Sequence, residues 1–128
     1  MNILITGAKG NLGEYMSRYF SKDNHVISLG KNELNVLERE KLFNTIKLIN
    51  PNIIIHNAAI NDIDFCEKDE HAAYTTNTIG TLNVAYICSH LNIPIIYISS
   101  SYVFNGKKKS PYYETDFCEP INTFGKTH

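Results

Sequence analysis

Short apolar runs alternate along the chain with longer segments whose apolar residues recur at helical spacing. A continuous apolar run bounded by glycine, proline or polar residues is typical of a strand that is buried on both faces. Apolar residues that return at helical spacing predict an amphipathic helix. The predicted strands cover residues 2–6, 26–29, 52–56 and 95–99. The predicted helices cover residues 11–22, 38–49 and 69–91, and one more helix begins within residues 122–128.

The order of these elements indicates the fold class. Strands that alternate with helices call for parallel strands joined by right-handed helical crossovers. The sequence therefore predicts an α/β fold with a doubly wound parallel sheet of the Rossmann type. The residues expected on the inner helix faces are Leu12, Tyr15, Met16, Tyr19 and Phe20 in the first helix, Leu42, Phe43, Ile46 and Ile49 in the second, and Ile79, Leu82 and Tyr86 in the third.

Length, charge and cysteine usage narrow the classes of protein that are compatible with this pattern. A chain of 128 residues fits one domain, residues 1–128, and a net charge of −1 argues against a dedicated nucleic-acid or membrane-surface binder. The apolar runs are too short to span a bilayer, and the first residues lack a signal-peptide pattern, so we expect a cytoplasmic protein. Cys66, Cys88 and Cys118 form neither a metal-binding pair nor a disulfide framework, so they are predicted to be free, mostly packed thiols, with a catalytic thiol as the lesser alternative.

A glycine-rich turn follows the first predicted strand. The segment Thr6–Gly13 spaces Gly7, Gly10 and Gly13 evenly, and it opens the first amphipathic helix. In this context the first glycine permits a tight turn, the second lets the backbone approach a pyrophosphate, and the third lets the helix pack on the strand. The phosphate would meet unpaired N–H groups at the positive end of the helix dipole. Nucleotide binding is therefore preferred over a plain turn.

The residue after the second strand bears on the choice of dinucleotide. An acidic residue in this region would bind the adenosine ribose, but the sequence offers Lys31, which could pair with a 2′-phosphate instead. A solvent-exposed loop lysine explains Lys31 equally well. The cofactor is therefore NADP or NAD, with Lys31 favouring NADP.

Motifs along nearly all of the chain resemble the extended short-chain dehydrogenase/reductases, and most closely the dTDP-4-dehydrorhamnose reductase family. The motifs that carry the resemblance are Thr6–Gly13, Asn57–Ala59, Asp64, Glu67, Asn77, Ser99–Gly106, Pro111, Tyr112, Glu114, Asp116, Pro120, Asn122 and Phe124–His128. The resemblance implies an oxidoreductase that uses NAD(P)H to reduce the 4-keto group of a dTDP-linked sugar in dTDP-rhamnose and polysaccharide-precursor biosynthesis, and it is compatible with a homodimer.

The resemblance also assigns expected roles to single residues. Gly10, Asn11 and Leu12 would hold the pyrophosphate, and Ser100 would bond the substrate oxygen. The residues expected near the adenine or along the dinucleotide are Asn35, Val36, Ala58, Ala59, Ile60 and Asn61.

The chain departs from this family at the catalytic pair, which is a tyrosine and a lysine four residues later on one helix face. Phe124 and His128 stand at those positions. The family's Lys lowers the pKa of the Tyr hydroxyl, which protonates the developing alkoxide, whereas Phe has no proton to give. Ser101 replaces an Asp of the family, Asn35 replaces another, and His128 is expected to fray. The sequence after the start of this catalytic helix, which would form the substrate-binding part, is expected to be absent, so this chain alone should have no appreciable reductase activity.

Other candidate residues have simple structural interpretations. His56 ends an apolar strand and is predicted to be a packed or loop-lining imidazole, and the cluster of Asp62, Asp64 and Glu67 is predicted to cap a helix rather than to hold a divalent ion. The run 107–109 is predicted to be a solvated lysine loop. The hydroxyl of Tyr102 is a less favoured candidate for the general acid that the chain lacks at position 124.

A non-catalytic, NADP-binding regulatory protein that has lost the Tyr/Lys pair is the second hypothesis for the function of the chain, and a decayed gene product is the third.

Overall fold

A computed structural model describes residues 1–128, and it contains one four-stranded parallel sheet flanked by helices. The strands are β1 (Asn2–Thr6), β2 (His25–Leu29), β3 (Ile53–His56) and β4 (Ile95–Tyr97), in the spatial order β2-β1-β3-β4. The helices are α1 (Asn11–Phe20), α2 (Arg39–Ile49), α3 (Ile63–Lys68), α4 (Glu70–Ala73), α5 (Gly80–Leu91) and α6 (Thr123–Lys126). A π-helical turn covers Tyr74–Ile79, and a 3₁₀ turn covers Ser101–Val103. The predicted fold class is confirmed.

The hydrophobic core lies on both faces of the sheet, as alternating side chains along a strand require. Leu4 and Ile54 point to the face covered by α2 and α5, where they pack with Leu42, Ile46 and Ile87. On the opposite face Ile3, Ile5 and Ile55 pack against Met16 and Phe20 of α1. The two layers hold the carboxyl ends of β1, β2 and β3 side by side, and doubly wound sheets bind ligands at such an edge.

The predicted inner face is correct for α2, only partly correct for α1, and wrong for α5. Leu42 and Ile46 are buried, and Phe43 and Ile49 pack beside them. Of the residues predicted for α1, Met16 and Phe20 contact the core, whereas Leu12, Tyr15 and Tyr19 are exposed. This helix rests on the sheet through a narrow stripe because Gly13 brings it very close to the backbone after β1.

In α5 the residues predicted to face inward are exposed: Ile79, Leu82 and Tyr86. The buried face consists instead of Gly80, Val84, Ile87 and Cys88, which also recur at helical spacing. Ile79, Leu82 and Tyr86 have the same helical spacing as the buried residues, so spacing alone did not separate the two faces. Gly80 then lies against Val36, whose Cγ2 atom would be 2.5 Å from a Cβ added to that glycine.

The long helical stretch predicted over residues 69–91 is confirmed, because α4, the π-helical turn and α5 follow one another without a break from Glu70 to Leu91. Asp62 and Asp69 each accept a hydrogen bond from the backbone N–H three residues later, so each begins a helix of its own. The strand predicted to end at Ser99 ends at Tyr97. Asn122 caps α6 by accepting from the Gly125 N–H, so the helix predicted to begin within residues 122–128 is present.

Two of the three cysteines fit their prediction, because Cys66 and Cys88 are buried and unpaired, whereas Cys118 is exposed. Burial raises the pKa of the Cys88 thiol to about 11, and it also raises the pKa of Cys66. Both thiols are therefore protonated at neutral pH and are unsuited to nucleophilic chemistry. None of the helices has the length and apolar character needed to cross a membrane.

Candidate dinucleotide site

The glycine-rich turn between β1 and α1 is shaped by backbone packing at two of its three glycines. Gly7 has a φ of 64°, and a Cβ there would lie 2.6 Å from the Cα atom of Ala58. A Cβ on Gly13 would lie 2.5 Å from the Gly7 carbonyl oxygen. At Gly10, by contrast, the only neighbour of an added Cβ is that same oxygen, at 3.6 Å. The first and third glycines therefore close the turn, and the second leaves open space above it.

That open space continues into a polar cleft of about 180 Å³ at the carboxyl edge of the sheet. Gly10 caps α1 without any side-chain hydrogen bond, so the first N–H groups of the helix lack a side-chain partner. Unpaired N–H groups at a helix start suit a phosphate oxygen. The cleft is lined by Gly7, Lys9, Gly10, Lys31, Asn57, Ala59 and Asn61.

A second, mostly apolar cleft of about 110 Å³ adjoins the first, because both share Gly7, Lys31 and Ala59. It is narrower and more enclosed by side chains, as a flat aromatic base requires. Its other lining residues are Leu34, Asn35, Val36, Leu37, Ala58, Ile60 and Thr76. The two clefts together provide a polar position for a pyrophosphate and an apolar position for an adenine, so the residues present fit a dinucleotide.

The structure thus brings together every residue that the sequence predicted for the cofactor. Asn11, Leu12 and Gly13 form the first turn of α1 beside the polar cleft, and the remaining predicted residues line one cleft or the other. Five further residues line the clefts and were not predicted to bind the cofactor: Lys9, Leu34, Leu37, Asn57 and Thr76. A signal for Lys9 was available in its position between two glycines of the turn, whereas Thr76 reaches the cleft through a π-helical turn that no local pattern indicated.

His56, the last residue of β3, is buried below the clefts as a neutral imidazole. Thr81 donates to the Asn77 carbonyl oxygen at 2.5 Å, so its hydroxyl oxygen accepts from His56 Nε2 at 3.0 Å. The other ring nitrogen, Nδ1, then accepts from Thr6 at 2.7 Å. Burial lowers the pKa of His56 to about 4. The prediction of a packed imidazole is confirmed, since the ring is completely buried.

Asn77 ties the cleft to α6. Its side-chain oxygen accepts from the Ile60 N–H at 2.7 Å, while its amide group donates to the Ile60 carbonyl oxygen and to Thr127 Oγ1. Asn77 and Thr127 are both buried. The π-helical turn therefore holds both the loop after β3 and the helix that carries Phe124.

At the positions of the family's catalytic pair the structure shows aromatic packing. The Phe124 ring is buried and lies 5.5 Å from the Tyr102 ring and 4.4 Å from the His128 ring, measured between centroids. His128 Nδ1 donates to the Phe124 carbonyl oxygen at 2.9 Å, and its ring also faces Tyr97. His128 lies beyond the end of α6 at Lys126, and these contacts place its ring against Phe124 and Tyr97. Ser100 caps the 3₁₀ turn by accepting from the Tyr102 N–H, and its side chain is half-buried.

The acidic cluster has the structural role that the sequence predicted for part of it. Asp62 caps α3, and Glu67 accepts from the Thr123 N–H, which lowers the pKa of the Glu67 carboxyl. Glu70 accepts from the Thr123 hydroxyl. These carboxylates fix the start of α6. The lysine loop is only partly solvated, because Lys108 is half-buried and paired with Asp116.

The fold, the glycine turn and the adjoining clefts define a Rossmann-type dinucleotide-binding domain. Residues 1–128 match the family model described as RmlD substrate binding domain. The chain therefore belongs to this family, and the resemblance to the dTDP-4-dehydrorhamnose reductases is confirmed.

Two relatives and one solved structure show the range of the match. A dTDP-4-dehydrorhamnose reductase from Aggregatibacter actinomycetemcomitans is 33% identical over 98% of this chain and 43% of its own length. Methionine adenosyltransferase 2 subunit beta from Rattus norvegicus is 35% identical over 98% of this chain and 40% of its own. The crystal structure of dTDP-4-dehydrorhamnose reductase from Bacillus anthracis in complex with NADP superposes with a TM-score of 0.94, at 32% identity, covering 98% of this chain and 46% of that one. The chain thus spans less than half the length of the relatives that it matches.

Proposed function

We propose that this chain binds NAD(P)H at the carboxyl edge of its sheet and supplies the cofactor-binding part of a reductase that acts on a 4-keto nucleotide-sugar. The substrate class follows from the named activity of the reductases in its family. The bound nicotinamide would supply hydride, and the carbonyl oxygen of a dTDP-linked sugar would receive a hydrogen bond from Ser100.

The observation that carries the proposal is the open face of Gly10 above the uncapped start of α1. A pyrophosphate needs close approach of the backbone and free N–H donors, and this turn offers both. Lys9 and Lys31 add positive charge at the same cleft. The adjoining apolar cleft shares Gly7, Lys31 and Ala59 with the polar one, so the two are continuous positions for parts of one molecule.

The test is a fluorescence titration with NADPH and NADH of the wild-type chain and of Gly10→Ala. The backbone of Gly10 has φ −82°, which alanine adopts freely, and the added methyl group meets no atom closer than 3.6 Å. The variant should fold but should raise the dissociation constant by about tenfold or more, because the methyl group stands where the phosphate must approach. Gly106→Asn, a loop change in open space at φ 73°, should leave binding unchanged. Equal affinity of wild type and Gly10→Ala would contradict the proposed site.

A second candidate function is favoured by Phe124. A buried phenyl ring cannot donate the proton that a developing alkoxide needs, and loss of a general acid costs about 10²–10⁴-fold in rate. One relative is named as a subunit of a methionine adenosyltransferase, so the family contains a chain that serves in another enzyme's assembly. The alternative is therefore a non-catalytic, NADP-binding or regulatory protein.

Turnover distinguishes the two functions. With saturating NADPH and a dTDP-4-keto-sugar, we expect no steady NADPH oxidation by the 128-residue chain. A full-length dTDP-4-dehydrorhamnose reductase from the same family serves as the positive control. Steady oxidation by this chain would exclude the non-catalytic alternative. Because both functions predict that the chain alone is inactive, they are separated by a chimaera in which residues 1–128 replace the matching segment of that full-length reductase: turnover by the chimaera supports the reductase, whereas tight NADPH binding without turnover supports the alternative.

A further inference from the structure

An asparagine followed by a glycine lies in the loop after the 3₁₀ turn, at Asn105 and Gly106. No other asparagine of the chain precedes a glycine. The pair matters chemically because the amide carbon of the asparagine side chain is an electrophile close to the next backbone nitrogen, and glycine has no side chain to obstruct that nitrogen. A Cβ added to Gly106 would meet no atom within 4 Å, so the loop leaves the approach open.

The side-chain carbonyl oxygen of Asn105 accepts two hydrogen bonds. One comes from the Lys107 N–H at 2.9 Å, and the other comes from the Tyr112 hydroxyl at 3.1 Å. Two donors on one carbonyl oxygen stabilise the negative charge that develops there when a nucleophile adds to the carbon, as they do in an oxyanion hole. The loop therefore activates one of its own amide groups.

The Tyr112 hydroxyl is held in place by the packing of its own ring. That ring stacks on the ring of Phe104, with 4.2 Å between the centroids. The hydroxyl also accepts from the Lys108 N–H at 3.3 Å, and Lys108 is paired with Asp116. The donor is therefore positioned before any reaction begins, which is what electrostatic stabilisation of a developing charge requires.

The nitrogen of Gly106 is available as the nucleophile. Gly106 is exposed, and its N–H makes no hydrogen bond. The bond from the Lys107 N–H folds the Asn105 side chain over the backbone of Gly106, because it spans two residues as in an Asx turn. Asn105, Gly106 and Tyr112 also line an open cleft of about 340 Å³, through which water reaches the amide.

We propose that Asn105 is a site of spontaneous modification, at which the loop converts the side-chain amide into a carboxylate. The Gly106 nitrogen forms a bond to Asn105 Cγ, the Cγ–Nδ2 bond breaks, and the proton of the Gly106 nitrogen passes through solvent to the departing group, which leaves as ammonia. Water then adds to either carbonyl group of the resulting succinimide ring. The ring opens to aspartate or isoaspartate, and the new carboxylic acid releases its proton.

The product carboxylate loses one contact of the loop and keeps two. Asn105 Nδ2 donates to the Glu119 carboxylate, which joins the start of the loop to its end. A carboxylate at position 105 has no proton to donate and repels Glu119, whereas its oxygens still accept from the Lys107 N–H and the Tyr112 hydroxyl. The modification therefore adds a negative charge and loosens the junction between residues 105 and 119.

Peptide mapping by mass spectrometry, during incubation of the folded chain at mildly alkaline pH, tests the proposal. Residue 105 should gain the mass of an amide-to-acid conversion, whereas Asn32, which is exposed and precedes a glutamate, should remain an amide. Tyr112→Phe removes one donor and should slow the reaction about threefold to tenfold, the equivalent of one neutral hydrogen bond. Tyr113→Phe is the matched control, because the Tyr113 hydroxyl makes no hydrogen bond, and it should leave the rate unchanged.

Thermal unfolding shows whether each variant is folded, and a peptide of residues 101–110, which lacks Tyr112, gives a second comparison that needs no variant. The folded chain should react faster than this peptide. A slower reaction in the folded chain than in the peptide, or an unchanged rate in folded Tyr112→Phe, would overturn the proposal. Asn105→Asp should speed tryptic cleavage at residues 107–109, and equal cleavage of this variant and the wild type would contradict the loosening of the loop.

Discussion

His56 is the buried group whose protonation the fold opposes most clearly. Its two ring nitrogens are matched to one acceptor and one donor, Thr81 and Thr6, and that arrangement suits only the neutral ring. A cation there would require both nitrogens to donate. Burial lowers the pKa of His56 to about 4, and the two hydrogen bonds favour the same neutral form of the ring.

Stability should fall as the pH is lowered from 6.5 toward 4. In this range the unfolded chain binds a proton at His56 and the folded chain does not, so protonation favours unfolding. A pKa of 6.5 unfolded and about 4 folded corresponds to a loss of about 3 kcal/mol once both forms have titrated. Urea unfolding between pH 7.5 and 5 measures most of this loss.

His56→Gln is the matched variant for that experiment, since an amide can accept from Thr6 and donate to Thr81 without titrating. Its stability curve should be flatter between pH 6.5 and 5 than that of the wild type. Glu67 and Asp116 have lowered pKa values and lose their contributions only below the usual carboxyl range, outside this window. A pH slope that survives unchanged in His56→Gln would show that another group causes it.

Among the elements, the π-helical turn does the most to join the cofactor cleft to α6. Its one buried amide, on Asn77, satisfies both backbone groups of Ile60 and also contacts Thr127. A π-helical turn inside a helix is frequently found at functional sites. Here it places Thr76 in the apolar cleft while Asn77 points away into the core.

Replacement of Asn77 by leucine should lower the free energy of unfolding by about 2–4 kcal/mol, because it removes the partner of the Ile60 N–H and leaves the Ile60 carbonyl oxygen only the weak Cys66 thiol as a donor. Chemical denaturation measures the loss. Asn83→Leu provides a comparison on the same helical region, since Asn83 makes a single bond, to the Val36 carbonyl oxygen, from a half-buried position. If the two variants lost equal stability, the special role given to Asn77 would be wrong.

Two alanine substitutions in the glycine-rich turn should differ in effect: one should lower stability, and the other should mainly weaken dinucleotide binding. Gly13→Ala places a methyl group against two backbone segments and should cost about 2–3 kcal/mol by overpacking. Gly10→Ala should cost no more than about 1 kcal/mol, the usual penalty for alanine at a helix cap. Thermal melts of both variants in the absence of nucleotide check this order, and the reverse order would contradict the packing described for α1.

In the molecule as a whole, the sequence was most informative where structure is decided by nearby residues. Thr6–Gly13 combined a strand end, evenly spaced glycines and a helix start, so its position in the fold and in the site followed together. The buried face of α5 could not be predicted, because two stripes at helical spacing were available and the buried one includes Gly80, whose contact with the distant Val36 leaves no apolar signal in the local sequence.

The departures from the family pattern also have a consistent structural setting. Phe124 and His128 pack with Tyr102 and Tyr97 into one aromatic group. The cofactor clefts, by contrast, retain their open glycine and their lining residues. The molecule therefore preserves the geometry for binding a dinucleotide more completely than the chemistry for transferring a proton.

The most direct measurement is a ¹⁵N NMR titration of the 128-residue chain with NADPH, because it locates the bound dinucleotide residue by residue. The largest amide shifts should occur at Gly10, Asn11 and Leu12, with further shifts at Val36 and Ala59, and the loop 107–109 should be unaffected. Shifts confined to the charged groove on α2, lined by residues such as Glu38 and Lys41, or no shifts at millimolar NADPH, would contradict the central claim that the carboxyl edge of the sheet binds a dinucleotide.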